Sequence, residues 1–138
     1  MTPVEIIKDG DEVLGIIIRC DYEEKGLKFF TMPEYNLQLG IHNRAGGTFI
    51  PPHKHLPIKE LKDVPIQEFF YLVKGRVKVD FFNSEEKFVA SRELGAGDMI
   101  LIIGAHAFTF LEEVKLIEIK QGPYRGVEED KREIGEKL

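Results

Sequence analysis

The sequence predicts an all-β protein, a sandwich or a barrel, and three observations lead to this fold class. Short apolar segments rich in Val, Ile and Phe recur along the chain. Gly, Pro, Asn or acidic clusters separate them, as turns separate antiparallel strands. Within segments apolar and polar residues alternate, so that Val77, Val79 and Phe81 share one face of a half-buried strand. Many short strands at this spacing are typical of sandwiches and barrels.

The predicted strands follow one another with short polar connections. Lys74–Gly75 and residues 83–86 have the composition of hairpin turns. The stretch Leu56–Ile66, with prolines around a charged middle, predicts a loop between strands. The strands are Val4–Ile7, Val13–Arg19, Lys28–Thr31, Leu37–Asn43, Thr48–Pro51, Glu68–Val73, Arg76–Phe82, Lys87–Leu94, Met99–Ile103, Ala107–Leu111 and Lys115–Lys120.

Only the C-terminal stretch from Gly126 has a helical pattern. Val127, Lys131 and Ile134 fall on one side of such a helix, and Glu128 is spaced to pair with Arg132. We expect a solvated, helical or irregular tail there. The length of 138 residues suits one domain. The expected organisation is one β domain over residues 1–125 and a charged tail over residues 126–138.

Composition and charge limit the partners. The net charge is −5 and no basic stripe is present, which argues against a nucleic-acid partner. The apolar runs are far shorter than the roughly 20 residues of a membrane-spanning helix, and the N-terminus has no signal-like apolar core. The single Cys20 agrees with a reducing compartment. We therefore expect a cytoplasmic protein without a membrane or nucleic-acid partner.

Two of the four histidines, His53 and His55, lie two residues apart after Pro51 and Pro52. On an extended strand, residues i and i+2 point to the same face, so both imidazoles can approach one metal ion. Chance pairs of this kind also occur on surface strands. His42 is interpreted as a surface histidine.

Glu68 and His106 are the other candidate ligands. Glu68 is the one charged residue at the head of the apolar strand that runs to Gly75, and a carboxylate in such a place needs a partner. A solvent-exposed acid at a strand end is the alternative. His106 lies in an apolar hairpin, where a hydrogen-bonded core histidine is the alternative.

Taken together, these residues resemble the two sequence motifs of the cupin superfamily. The first is Gly47 through His53-Lys-His55, continued by Glu68 six residues before Gly75, and the second is Gly97-Asp98 followed by His106. The resemblance covers Gly47 to about Phe110. It implies a jelly-roll barrel, also called a double-stranded β-helix, that holds one metal ion through His53, His55, Glu68 and His106.

The sequence departs from the cupin pattern in two places. Glu68 follows His55 by thirteen positions, whereas the family normally has only a few residues there, and Glu60 stands at the usual spacing. We prefer Glu68 because it is followed by the apolar strand and by Gly75, which makes the intervening residues an inserted loop. The Pro-x-Gly turn that usually precedes the last histidine is replaced by Ile103-Gly104-Ala105.

Three imidazoles and one carboxylate leave open positions on a six-coordinate ion, which is a catalytic layout. Mixed His and carboxylate ligands suit Mn, Fe, Ni, Co or Zn. The resemblance implies a metal-dependent enzyme for a small polar metabolite, either a sugar-phosphate or nucleotide-sugar isomerase or epimerase, or a dioxygenase. Some sugar-modifying cupins use histidines as acid and base without metal. A non-catalytic sensor of a metabolite or metal is the alternative.

Two expectations concern the pocket and the oligomer. Phe70, Leu72, Phe108 and Phe110 should line an apolar interior, with Asn43, Arg44, Gln67, Lys120 and Tyr124 as possible polar contributors. The N-terminal strands exceed what a minimal barrel requires, and many cupins pair through such strands. A homodimer is therefore expected.

Overall fold

The computed structural model describes residues 2–59 and 63–135, and it confirms the all-β fold class. Contacts divide the chain into two compact units, unit 1 from Met1–Tyr22 and Ile66–Leu138 and unit 2 from Glu23–Pro65. No helix in the described part of the chain is long and apolar enough to span a bilayer. The strands are β1 Val4–Asp9, β2 Glu12–Ile18, β3 Gly26–Phe29, β4 Gly40–Asn43, β5 Glu68–Lys74, β6 Arg76–Phe82, β7 Phe88–Gly95, β8 Met99–Ile102, β9 Ala105–Phe110 and β10 Lys115–Lys120.

Unit 1 contains two antiparallel sheets. The first has five strands in the order β1-β2-β8-β5-β10, and the second has three in the order β7-β6-β9. Strands far apart in sequence are therefore neighbours, such as β2 with β8 and β6 with β9. No sheet closes on itself within the described residues.

The core of unit 1 lies between inward faces that the alternation of the sequence defines. Val77, Val79 and Phe81 on β6 are fully buried, as the alternation predicts. From the five-stranded sheet, Ile17, Phe70 and Ile100 join the same cluster. Because burying one such side chain contributes about 1.5–3 kcal/mol, this cluster dominates the stability of the unit.

The turn between β5 and β6 depends on Gly75, and it is not the predicted hairpin, because the two strands lie in different sheets. Its φ of +92° lies in the left-handed region, and a Cβ there would stand 2.3 Å from the carbonyl oxygen of Glu113. Glycine alone satisfies both conditions. This turn follows the end of β5, and Glu68 lies at the start of the same strand.

Unit 2 contains one hairpin, in which β3 pairs with β4. The predicted strand Thr48–Pro51 is wrong, since residues 48–59 are neither strand nor helix. The amide of Thr48 donates to Ala45 O in a turn and not to a neighbouring strand. Pro51 and Pro52 have no N–H to donate to a sheet.

The C-terminal tail is helical only at its start and irregular beyond it, within the helical or irregular tail that the sequence predicts. The helix α1 (Val127–Asp130) is a single turn, because Lys131 has an extended backbone with φ −149°. Arg132 pairs with Glu86 and not with Glu128. Asp130 is also not solvated, since its side chain is only 12% exposed. Ion pairs therefore attach the tail to the rest of unit 1.

Candidate functional site

Glu68 and His106 meet in the interior of unit 1. Glu68 begins β5 in the five-stranded sheet, and His106 lies on β9 in the three-stranded sheet. Glu68 Oε1 stands 3.0 Å from His106 Nε2, and the two side chains are 17% and 22% exposed. The pair joins the two sheets across the interior, and both partners are predicted ligands.

A backbone carbonyl fixes the orientation of the His106 ring. Nδ1 lies 3.0 Å from Gly104 O, and a carbonyl can only accept, so Nδ1 carries the hydrogen. In the neutral imidazole the lone pair of Nε2 then points at the carboxylate of Glu68. Two acceptors 3.0 Å apart repel unless a positive group joins them, either a proton on Nε2 or a metal ion.

The pKa values show how the pair satisfies this condition with a proton. Burial alone would lower the pKa of His106, but hydrogen bonds to Glu68 and Gly104 and the charge of Glu68 raise it above 6.5. The hydrogen bond from His106 lowers the pKa of Glu68 and outweighs the effect of burial. The pair therefore favours imidazolium and carboxylate.

Glu118 is a third member of the cluster that the sequence analysis missed. It lies on β10 opposite Phe70, and its carboxyl shares a hydrogen bond with Glu68. That hydrogen bond, burial and the charge of Glu68 raise the pKa of Glu118. The sequence did contain a sign of this, because the alternation of β10 puts Glu118 on the same face as Leu116 and Lys120.

The cluster lines a cavity of about 1130 Å³ within unit 1, which is large enough for a small metabolite. Phe108 packs against Phe70 and His106, with ring centroids 4.8 and 5.6 Å apart. The larger apolar side chains of the cavity wall include Phe70, Phe82, Phe108, Phe110, Val114 and Leu116. Of the predicted lining residues, Phe70, Phe108, Phe110 and Lys120 lie there, whereas Leu72 belongs to the core.

The tail supplies the charged side of the same cavity. Residues 130–134 line it, together with Lys120 at the end of β10. Lys120 Nζ stands 3.0 Å from Asp130 Oδ2, and Arg125 reaches Asp130 Oδ1 at 3.7 Å. The cavity thus has an aromatic wall, an acidic cluster around His106 and a charged rim.

His53 and His55 lie in unit 2, and both are exposed. Their ring centroids are 5.2 Å apart, although the segment is not a strand. His53 Nδ1 lies 2.8 Å from Pro51 O, so it donates to a carbonyl as His106 does, and its Nε2 carries the lone pair. This arrangement leaves Nε2 of His53 available as a ligand atom.

The structure thus brings predicted ligands together in two pairs, one in each unit. Among residues 2–59 and 63–135, no group of three or more His, Cys, Asp or Glu side chains is arranged to hold a metal ion. The four-ligand site stays a prediction. Glu60, the alternative to Glu68, lies outside the described residues. His42 is exposed on β4, as expected.

Comparison of the chain with protein-family models, with curated proteins and with solved structures finds no match.

Proposed function

We propose that this chain is a cupin-type protein that binds one divalent metal ion and takes a small polar molecule into the cavity of unit 1. The orientation of His106 carries the proposal. Its Nδ1 donates to Gly104 O, and its Nε2 lone pair faces the carboxylate of Glu68 at 3.0 Å. Metal-ligating histidines almost always have this arrangement, with the second nitrogen donating to a carbonyl or carboxylate.

His53 and His55 complete the proposed ligand set, on the strength of the sequence resemblance. The Nδ1 of His53 is engaged by the Pro51 carbonyl, which supports ligation through Nε2. The donor set of imidazole nitrogens and one carboxylate fits Mn, Fe, Co, Ni or Zn. His53, His55, Glu68 and His106 would therefore hold the ion.

The proposed fold is the cupin jelly roll. Two antiparallel sheets with neighbours far apart in sequence support it, since sequential hairpins alone would place β5 beside β6 in one sheet. The order β2-β8-β5-β10 instead alternates early and late strands. Such interleaving is typical of Greek-key and jelly-roll connections.

The proposed activity is a metal-dependent isomerisation or epimerisation. When bound, the ion would polarise a carbonyl or hydroxyl oxygen of the ligand. Glu118 supports this reaction class by its position, because it lines the cavity beside Glu68, and the hydrogen bond to Glu68 together with burial raises its pKa. The wall formed by Phe70 and Phe108 would position the apolar part of the ligand and exclude water.

Metal binding is tested by elemental analysis of the purified protein and by calorimetric titration of Mn²⁺ and Zn²⁺ into chelator-treated protein. We expect wild type to bind one equivalent and His106→Ala or Glu68→Gln to bind at least about tenfold more weakly, as loss of a buried ligand requires. His42→Ala, which removes an exposed histidine, is the control and should bind like wild type. Equal affinity in all four proteins would overturn the proposed site.

Catalysis is tested separately from binding. Metal-loaded protein is incubated with a panel of sugar phosphates, nucleotide sugars and oxidisable substrates, with product detection by mass spectrometry and NMR. Conversion that Glu118→Gln reduces while metal affinity persists supports the isomerase proposal. Saturable binding without conversion would instead assign a sensor, and oxygen consumption with iron would assign a dioxygenase.

A further inference from the structure

The charged rim of the cavity has a feature that the metal proposal does not use. Lys120 ends β10 on its inward side, directly across the strand pair from Glu68. Its ammonium lines the cavity, and its side chain is 26% exposed. The partner of this ammonium is not Glu68 but Asp130, at 3.0 Å, which the C-terminal tail carries.

Asp130 is held as an anionic ligand would be held. Its Oδ2 accepts from Lys120 at 3.0 Å, and its Oδ1 faces Arg125 at 3.7 Å, so each carboxylate oxygen has its own cation. Proteins commonly bind carboxylates and phosphates through such charge-assisted contacts from Lys and Arg to the separate oxygens of one acid. The Asp130 side chain is only 12% exposed, although the helix α1 that ends with it has no buried residue.

Few other contacts hold the segment that carries Asp130. A single helical turn has no stability of its own, and among the described residues of the tail the other ion pair is Arg132 with Glu86. Such segments open at low free-energy cost. A ligand anion in solution can therefore compete with Asp130 for Lys120 and Arg125.

We infer that Lys120 and Arg125 form a subsite for an anionic group, a carboxylate or a phosphate, and that Asp130 occupies this subsite from within the chain. The inference rests on the proposed function in one respect, because the anion would belong to the small molecule that enters the same cavity. It assigns that molecule to the class of small organic anions. Lys131 and Arg132 line the cavity with Lys120 and add positive charge to this side, although Glu133 lies there too and Arg132 pairs with Glu86.

The test is calorimetric titration of inorganic phosphate, and separately of malonate, at constant ionic strength into protein that a chelator has freed of metal and from which the chelator has then been dialysed away. The chelator makes the result independent of the metal, so failure of the metal proposal and failure of this inference are distinguishable. Removing the internal competitor should raise anion affinity, because apparent affinity scales with the fraction of open subsite. We expect Asp130→Asn to bind at least one of the two anions about tenfold or more tightly than wild type does. Tighter binding of phosphate would assign a phosphate group to the ligand, and tighter binding of malonate would assign a carboxylate.

Matched variants decide between a subsite and a purely structural ion pair. Glu129→Gln removes the same charge from the same helix and should leave affinity unchanged. Lys120→Met in the Asp130→Asn background should abolish the gain, whereas Lys115→Met, at the other end of β10, should retain it. Equal anion affinity in wild type, Asp130→Asn and Glu129→Gln overturns the inference, as does a gain that survives Lys120→Met. If Asp130→Asn fails to fold by circular dichroism, Lys120→Met and Lys115→Met are compared in the otherwise unchanged chain at anion concentrations high enough to displace Asp130, and equal anion binding by these two overturns it.

Discussion

His106 has two stable partners for its Nε2, a proton or a metal ion, and they exclude each other. Because Nδ1 is committed to Gly104 O, the ring cannot avoid Glu68 by changing its tautomer. In metal-free protein the proton joins the two side chains, and the pKa of His106 is raised. Metal binding must displace that proton, so the two states respond to pH in opposite directions.

The stability of metal-free protein should reflect this pair. A raised folded-state pKa of His106 contributes stability that is fully present below the unfolded value near 6.5 and is lost as the pH rises through the folded value. The lowered pKa of Glu68 contributes stability above its unfolded value near 4.5. In chelator, the contribution of the pair to the free energy of unfolding should be greatest between about pH 5 and 6.5 and should decline towards pH 8.

Thermal unfolding from pH 5 to 8 in chelator measures this contribution. His106→Gln should remove the decline that the pair causes above pH 6.5, whereas His42→Ala should keep the wild-type profile. With added Mn²⁺ the sign reverses, and the metal-induced rise in Tm should grow from pH 5 to pH 7, since the imidazoles must lose their protons. Parallel pH profiles for wild type and His106→Gln would contradict the proposed pairing.

At the scale of the structural elements, one buried carboxylate, that of Asp98, stabilises the turn that connects β7 to β8. Asp98 Oδ1 accepts from Cys20 N at 3.0 Å, and Oδ2 accepts from Arg19 at 3.0 Å and from Gly95 N at 2.8 Å. Asp98 is only 7% exposed. It therefore ties the end of β2 to the turn that begins β8, and β8 lies beside β5, which carries Glu68.

Asp98→Ala should destabilise the protein strongly. Removing a buried carboxylate of an ion pair costs about 3–5 kcal/mol, because Cys20 N and Gly95 N lose their acceptor and Arg19 keeps only Glu93 O and the longer contact with Glu5. We expect Tm to fall by about 10 °C or more in a chain of this size. Asp11→Ala, in an exposed turn, should stay within about 0.5 kcal/mol of wild type. Chemical denaturation measures both variants, and a loss below about 1 kcal/mol for Asp98→Ala would show that the network is not structural.

Most elements could be predicted from the sequence where apolar alternation and turn residues agree. Arg76–Phe82 is strand β6 with the predicted bounds, and Lys115–Lys120 is β10. The strand predicted over Thr48–Pro51 is wrong because Pro51 has no N–H to donate to a neighbouring strand, although the apolar residues of the segment suggested one. The predicted pairing of Glu128 with Arg132 is wrong because the helix ends at Asp130 and Arg132 pairs with Glu86, which side-chain spacing does not reveal.

The candidate site was predictable only in part. The contact between Glu68 and His106 agrees with the motif pattern, since both were named as ligands. Glu118 was missed because its role depends on the register of β10 against β5, which sequence alternation does not define. Asp130 was missed for a related reason, since its contact with Lys120 depends on how the tail folds back onto unit 1.

At the scale of the whole molecule, the face of the five-stranded sheet opposite the core cluster is apolar, and its central residues Ile16, Ile18 and Leu101 are already buried within the chain. Two cross-strand rows contain no charged side chain. The first row is Ile6, Ile16, Leu101, Phe69 and Ile119, and the second is Val4, Ile18, Met99, Tyr71 and Ile117. At the two edges of the sheet, Ile6, Ile117 and Ile119 are 53%, 45% and 55% exposed. Such exposed apolar groups at sheet edges favour association.

We therefore expect a homodimer in which a second copy covers the β10 edge, where Ile117 and Ile119 lie. A symmetric pair would use the same patch on both copies and would remove Ile117 and Ile119 from water. Light scattering after gel filtration at micromolar concentration should give twice the 15.8 kDa of the chain. Ile119→Glu should give a monomer, because a carboxylate buried at the interface has no partner. Val127→Glu is the matched control, since Val127 is equally exposed at 59% but lies on the tail, and it should remain a dimer. A wild-type monomer, or a dimer that Ile119→Glu leaves intact, would exclude this interface.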